Sequence, residues 1–448
     1  MSKLTLLIIL DIINKMISSK KIFKVPFKFY SISPFYTNQS HPLTEKFLSE
    51  IVIEILIGNP PQKFNASLNL NSYHSYFLSE DIPGIHFEKY YNSNLSSTYF
   101  CVENNSLYWD EEFQMAEIFS DNLKLFYNDN KIFDNKFYFL LVHSYKYNQP
   151  FIFYTTGIIG LRIRSFVQRQ EDKEKRFTNQ IKKSGLANNE IFSFEFDKNK
   201  SDNGYLVIGK EIKEGYFLQI NTGILKMKYP GIEWSFNFDN VYYGNIEIKN
   251  SNDALLKSEN GLIVGTTEYE KIISEKYFAK NNKCNITHRK MGNGDFKYYC
   301  CDEDFDVSQM EDLVFFLKNI DFNFTLKSSD LFFNENGKKY FKILFLFSYN
   351  LYWYLGRDFL KVYQLYFDMD KKLIYIPIKN ENETDISSSS SIFKIFHSWL
   401  TFILGILVIF LIIYIVRYLK KYPRKKRANE LEDDFEYTIQ ENLNTNIL

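Results

Sequence analysis

Two polar stretches, each emerging from an apolar run, hold the residues on which chemistry could rest. The first is "FNASLNLNSYHSYF" (Phe64 to Phe77), with Asn69, Asn71 and Ser72 at its centre and Tyr76 near its end. The second is "ALLKSENGLIVG" (254–265), which carries Lys257, Ser258 and Glu259. A carboxamide does not ionise near neutral pH, so Asn69 cannot take a proton from a water molecule. A desolvated neutral lysine can act as a base, but the plainer expectation is that Lys257 reaches Glu259 or a backbone carbonyl and holds its loop. Asp253 lies on the far side of the same apolar strand, and a register that used it would misplace every apolar neighbour. The six histidines (41, 74, 86, 143, 288 and 397) include no pair at metal-ligand spacing. No metal and no other cofactor is expected.

The elements that must position these loops are mostly strands. Short runs such as "EIVIEILIG", "KFYFLLVHS", "IFSFEFD", "GYLVIG", "WSFNFDNVYYG" and "LYFDMDKKLIYIPI" are bounded by Asn, Asp and Gly turn signals. Helical pattern is sparse. "TEYEKIISEKYFAK" (267–280) places Tyr269, Ile272, Ile273 and Tyr277 on one face, and "FTNQIKKSG" (177–185) ends on a glycine suited to a C′ position. The 448 residues allow one large two-lobed domain or two to three small ones. Lys+Arg and Asp+Glu each total 54, so no net field recruits nucleic acid.

Two apolar segments suggest a location. "KLTLLIILDII" near the start reads as a secretory signal, over 1–22. Phe396 to Val416 is long enough to span a bilayer, and the basic run "RYLKKYPRKKR" that follows marks the cytoplasmic side. The polar stretch "KNENETDISSSSS" reads as a stalk (379–395), and 417–448 as a cytoplasmic tail. The expectation is a type I membrane protein of the secretory or endolysosomal system or the cell surface. Asn-X-Ser/Thr sequons at Asn38, Asn65, Asn94, Asn104, Asn199, Asn285, Asn323 and Asn382 all precede the span. Cys284 and one of the adjacent Cys300 and Cys301 suit a local disulfide, with Cys300 the partner expected here. Cys101 could join the leftover cysteine or stay reduced.

Six segments, in order, carry a family resemblance. They are "IEILIGNPPQKF", "FEKYYNSNLSSTY" (87–99), "TTGIIGL" (155–161), "NEIFSFEFD" with "NGYLVIG", "IEWSFNFDNVYYGN" (232–245) and "WYLGRDFLKVYQLYFDMDKKLIYIPI" (353–378). Over roughly 41–378 the chain resembles the pepsin-like aspartic proteases. The resemblance implies a mainly β, bilobal fold, with an N-terminal segment (23–48) and lobes at 49–225 and 226–378. It also implies a cleft, a hairpin flap, and one Asp-Thr/Ser-Gly loop from each lobe. In that family two carboxylates share one proton, and one acts as base towards a water while the other acts as acid.

Carried over residue by residue, the resemblance places Asn69 and Lys257 on the two aspartate positions. Leu70 replaces Thr and lacks the hydroxyl that braces the two loops, while Ser258 keeps the corresponding slot. Asn71 and Glu259 take the glycine places, Asn71 being a residue that tolerates positive φ. Ser72 matches, and Tyr76 stands where Trp is usual behind the first loop. Counting back from Asp121, the flap tyrosine falls on Trp109, beside Tyr108, in a glycine-free tip "YWDEEF" expected to be stiff.

Three functions follow as expectations. The first is a membrane-anchored ectodomain without aspartic protease activity that holds an extended peptide or protein ligand by strand addition. The second is an acting endopeptidase with an unrecognised catalytic arrangement. The third is a structural or sorting surface glycoprotein whose cleft is irrelevant.

Overall fold

Strand-forming runs dominate the chain, and in the folded molecule they are organised around one motif used twice. The computed structural model describes residues 21–30, 41–80, 90–103, 113–128, 131–145, 155–163, 170–197, 202–213, 215–222, 233–279, 281–291, 294–378 and 411–417. In the first copy, strand Gln62–Asn69 pairs parallel with Gly157–Gly160, which also pairs antiparallel with Tyr76–Leu78. Tyr76–Leu78 in turn runs parallel to part of strand Lys131–Tyr145. In the second copy, Asp253–Leu256 pairs parallel with Trp353–Leu355, which pairs antiparallel with Ile263–Gly265. Ile263–Gly265 then runs parallel to Ile343–Leu346. The inner strands are apolar runs buried on both faces, as their central place demands.

These motifs sit in a 13-stranded sheet and a 9-stranded sheet, with a 4-stranded sheet beside them. Every run singled out as strand-like is a strand, and Phe177–Lys183 is a helix followed by Gly185 at φ 74°. The helix expected over 267–280 is α-helical at Thr267–Ile273 and continues as a π-helix at Ser274–Phe278. Tyr269 and Ile273 are buried. The π-turn adds Phe278, stacked on Tyr299 with ring centroids 4.0 Å apart.

Strands Tyr366–Asp368 and Leu373–Pro377 close the first sheet, pairing with Ile191–Phe196 and Phe217–Asn221, so that sheet draws on strands from both sides of residue 225. The segment 23–48 contributes to the same sheet. Strand Phe23–Tyr30 lies inside the 13-stranded sheet, between Asn203–Ile208 and Glu50–Ile57, with Phe23, Val25 and Phe27 buried. Contiguity in sequence says nothing about which sheet edge a terminal strand meets.

Helix Pro42–Phe47 follows. Its proline occupies the first turn, where a missing N–H costs nothing, and His41 caps it by accepting from Leu43 N at 3.3 Å. Leu43 and Phe47 pack with Leu262, Phe296 and Tyr298. Gly261 approaches Lys46 O so closely that a Cβ would lie 1.7 Å from it. This helix therefore backs directly onto the second polar loop.

The disulfide is Cys284–Cys301, correcting the expected Cys284–Cys300. Cys284 stands directly opposite Cys301 in an antiparallel hairpin, Cα to Cα 4.0 Å. Side chains alternate along a strand, so Cys300 points to the other face. There it joins Tyr298, Tyr340 and Leu43, and burial pushes its thiol up from the usual range.

Residues 1–378 form one compact unit and 379–448 a second. Of the second, 411–417 is described, and it is helical and exposed. Among the described residues no helix is long and apolar enough to cross a membrane. The signal segment up to residue 20, the stalk, residues 396–410 of the span and the tail beyond 417 lie outside the described residues.

Candidate functional site

Asn69 and Lys257 close the two equivalent strands. Asn69 stands opposite Gly160, and its carbonyl accepts from Leu161 N at 2.8 Å. Leu256 stands opposite Leu355, which brings Lys257 level with Gly356, and Lys257 N donates to Leu355 O at 3.0 Å. Both facing glycines are enforced by crowding. A Cβ at Gly160 would lie 2.5 Å from His74 O, and one at Gly356 would lie 2.1 Å from Leu262 O. Each loop folds back over its own glycine, so the two polar stretches occupy matching places in the two copies.

Ser258 joins them. Its hydroxyl donates to Leu68 O at 2.8 Å and accepts from Leu70 N at 2.9 Å, and it is wholly buried. The brace expected from the second loop is present, and the reciprocal one is gone, because Leu70 is apolar and buried. In its stead Asn71 Nδ2 donates to both carboxylate oxygens of Glu259, at 2.7 and 2.8 Å. The two residues on the glycine places thus bind each other across the two copies of the motif. Sequence reasoning treated them separately. The signal was there, an amide and a carboxylate at corresponding places in facing loops.

Asn71, a residue that tolerates positive φ, is not among the described residues with that backbone. Its loop is held instead by Asn69, whose Oδ1 accepts from Asn71 N at 2.7 Å and Ser72 N at 3.0 Å. That network also fixes which way the Asn69 amide points. Ser72 Oγ donates to His74 O at 2.9 Å, and Arg162 N donates to Ser72 O at 2.9 Å. Arg162 pairs with Glu233 at 3.1 Å, a contact that sequence reasoning missed. Lys257 does reach Glu259, Nζ to Oε1 at 3.6 Å, which is ion-pair range but too long for a hydrogen bond. Its ammonium also lies 5.9 Å from the Tyr354 ring centroid.

Other expected site residues lie elsewhere. Tyr76 is buried in a cluster with Leu140 and Ile158, so it supports the first loop from behind and lines no cleft. Asp253 faces away and binds Asn237 Nδ2 at 2.5 Å. Tyr108 and Trp109, with the whole flap tip, lie outside the described residues. Among the described residues no three His, Cys, Asp or Glu side chains converge as metal ligands.

A carboxylate does stand behind the loops, at a position the sequence did not single out. Glu50 opens strand Glu50–Ile57 and is buried. Burial pushes its carboxyl up to about 7; Ser67 offsets part of this, the charge of Glu259 raises it, and Thr155 lowers it slightly. Tyr354 is likewise raised by burial and then by Glu233. The strand ends themselves carry an amide and an ammonium. That pair cannot share a proton as two carboxylates do, nor orient a water between two acceptors.

No curated protein sequence matches the chain at a significant level. Residues 50–377 match the eukaryotic aspartyl protease family, a span that takes in both copies of the strand-and-loop motif and both polar loops. On that match, and on a mainly β fold in which the motif occurs twice with the loops joined by Ser258, the chain belongs to the eukaryotic aspartyl protease family.

Proposed function

We propose that the chain is a membrane-anchored, non-catalytic member of its family that acts by holding an extended peptide in the cleft between its lobes. One observation carries the reading. At Asn69 the amide oxygen is consumed by two backbone N–H groups, and at Lys257 the side chain is a cation. On this reading the loops keep the architecture of a proton-sharing pair without its acids, so water activation has no general base, a function worth about 10²–10⁴ in rate. What remains suited to a ligand is the strand-rich cleft, which can take a peptide by main-chain pairing.

The expected result is that purified protein cleaves no generic peptide at acid pH in a pepstatin-sensitive manner. Cleavage of that kind would overturn the proposal. Anchoring through 396–416 is part of the same proposal, supported by the apolar span and the basic run after it. It predicts that alkaline carbonate leaves the full chain in the membrane pellet, whereas truncation before residue 379 releases it.

A second reading, hydrolysis by other groups, draws on Glu50, a buried carboxyl that still holds a proton near neutrality and senses Glu259. It requires pepstatin-insensitive cleavage that Glu50→Gln removes.

A further inference from the structure

The two strand ends present donors only. Asn69 Oδ1 is occupied by Asn71 N and Ser72 N, which leaves the Nδ2 hydrogens as the open face of that side chain. Among the described residues nothing accepts from Asn69 Nδ2, and nothing lies within hydrogen-bond range of Lys257 Nζ, whose nearest acidic oxygen is at 3.6 Å. Most other polar atoms of the loops are spent, and Asn71 Oδ1, which has no hydrogen-bond partner, is buried. Ser258 bridges Leu68 and Leu70, Ser72 Oγ donates to His74, and Asn71 Nδ2 is held by Glu259. Ser258 contacts the residues on either side of Asn69 and is the chain neighbour of Lys257, so the two strand ends that carry these donors are held together.

An acidic dyad offers acceptors to a water; the Asn69 Nδ2 and Lys257 Nζ groups together offer five N–H bonds. Its complement is an oxygen with lone pairs. Lys257 favours a charged one, because a charge-assisted bond is stronger than a neutral one and Glu259 stands too far away to supply it. Glu259 is tied to Asn71 through both oxygens and pairs with Lys257 at 3.6 Å, so a ligand oxygen would share the ammonium with it.

We propose that Asn69 Nδ2 and Lys257 Nζ together bind a carboxylate of the ligand, borne by an Asp or Glu side chain or by a peptide C-terminus. This rests on the peptide-binding reading above and names the feature that the cleft selects. The step is non-covalent; no bond is made or broken.

The test uses the full chain in detergent and fluorescent extended peptides matched in pairs, Asp against isosteric Asn at each position in turn, with free and amidated C-termini. At one position, or at the terminus, the acid is expected to bind about tenfold tighter than the amide, the difference between a charged and a neutral hydrogen bond. Lys257→Met keeps the aliphatic stem, and Asn69→Asp keeps the oxygen that caps Asn71 and Ser72. Each should weaken the acid peptide more than the amide peptide and so erase the acid preference, with unaltered thermal unfolding confirming the fold. If acid and amide peptides bind equally, the carboxylate proposal fails and the peptide cleft stands. If an acid preference survives Lys257→Met, the anchor lies elsewhere and the proposal fails. If no peptide binds at all, the peptide-binding reading fails with it.

Discussion

Asp121→Ala is expected to remove about 4 kcal/mol of folding stability, from the cost of breaking a buried, charge-assisted network by deleting one partner. Asp121 is wholly buried, and it serves three donors at once. Tyr91 Oη donates to Oδ2 at 2.5 Å, while Thr98 Oγ1 and Asn122 N donate to Oδ1 at 2.6 and 2.7 Å. Deleting the carboxylate leaves a buried phenol, a hydroxyl and a backbone N–H without their acceptor. Tyr91 cannot compensate by ionising, since burial, the largest cause of its raised phenol, persists without Asp121. Asp121→Asn keeps one acceptor oxygen and should cost about half as much. Urea unfolding followed by tryptophan fluorescence checks both. A loss below about 1 kcal/mol for the alanine variant would mean that water or a rearranged Thr98 replaces the carboxylate.

Glu50→Gln should reshape the dependence of stability on pH. The folded carboxyl titrates at about 7, against an ordinary 4.5. Below pH 4.5 folded and unfolded chains both carry the proton, and the contribution of Glu50 to stability is at its most favourable. Between 4.5 and about 7 the unfolded chain releases its proton while the folded chain keeps it, so stability falls as pH rises. Above about 7 both forms are ionised and the loss is complete. The gap between 7 and 4.5 converts to about 3 kcal/mol. Glutamine keeps the size and one acceptor without titrating. The variant should match the wild type near pH 4 and exceed it by up to about 3 kcal/mol at pH 8. Denaturant midpoints at pH 4, 6 and 8 for both proteins isolate the effect, because all other titrating groups cancel in the difference. Parallel curves would show that Glu50 titrates normally.

How much of this could be read beforehand depended on whether a signal was local. The strand runs were legible because turn residues punctuate them, as at "GYLVIG" and "IFSFEFD". The register that puts Asn69 and Lys257 at matching strand ends was legible from apolar residues on both sides, Ala254 to Leu256 and Leu262 to Val264. What failed was non-local or a matter of facing. Cys300 and Cys301 are equivalent by spacing, and only the hairpin register that sets Cys284 opposite Cys301 separates them. The Asn71–Glu259 pair bridges 188 positions, so neither residue announces its partner. Glu50 looks like any strand glutamate, since its depth depends on how the sheet is covered. Arg357 is a similar case. Its guanidinium is buried over the Phe29 ring at 4.0 Å and bonds Ser49 O at 3.2 Å, contacts no short window contains.

The place of strand Phe23–Tyr30 within the 13-stranded sheet governs when the fold can be completed during synthesis. The longest partner of this strand, Asn203–Ile208, emerges about 180 residues after it. The same sheet is finished only by Tyr366–Asp368 and Leu373–Pro377. Contacts so distant along the chain make for slow closure, because the loop entropy must be overcome before the pairing is gained. While translation proceeds, the apolar face formed by Phe23, Val25 and Phe27 has no sheet to enter. A nascent chain halted before residue 366 should therefore remain protease-sensitive and depend on chaperones, and it should become resistant only when the last two strands are released.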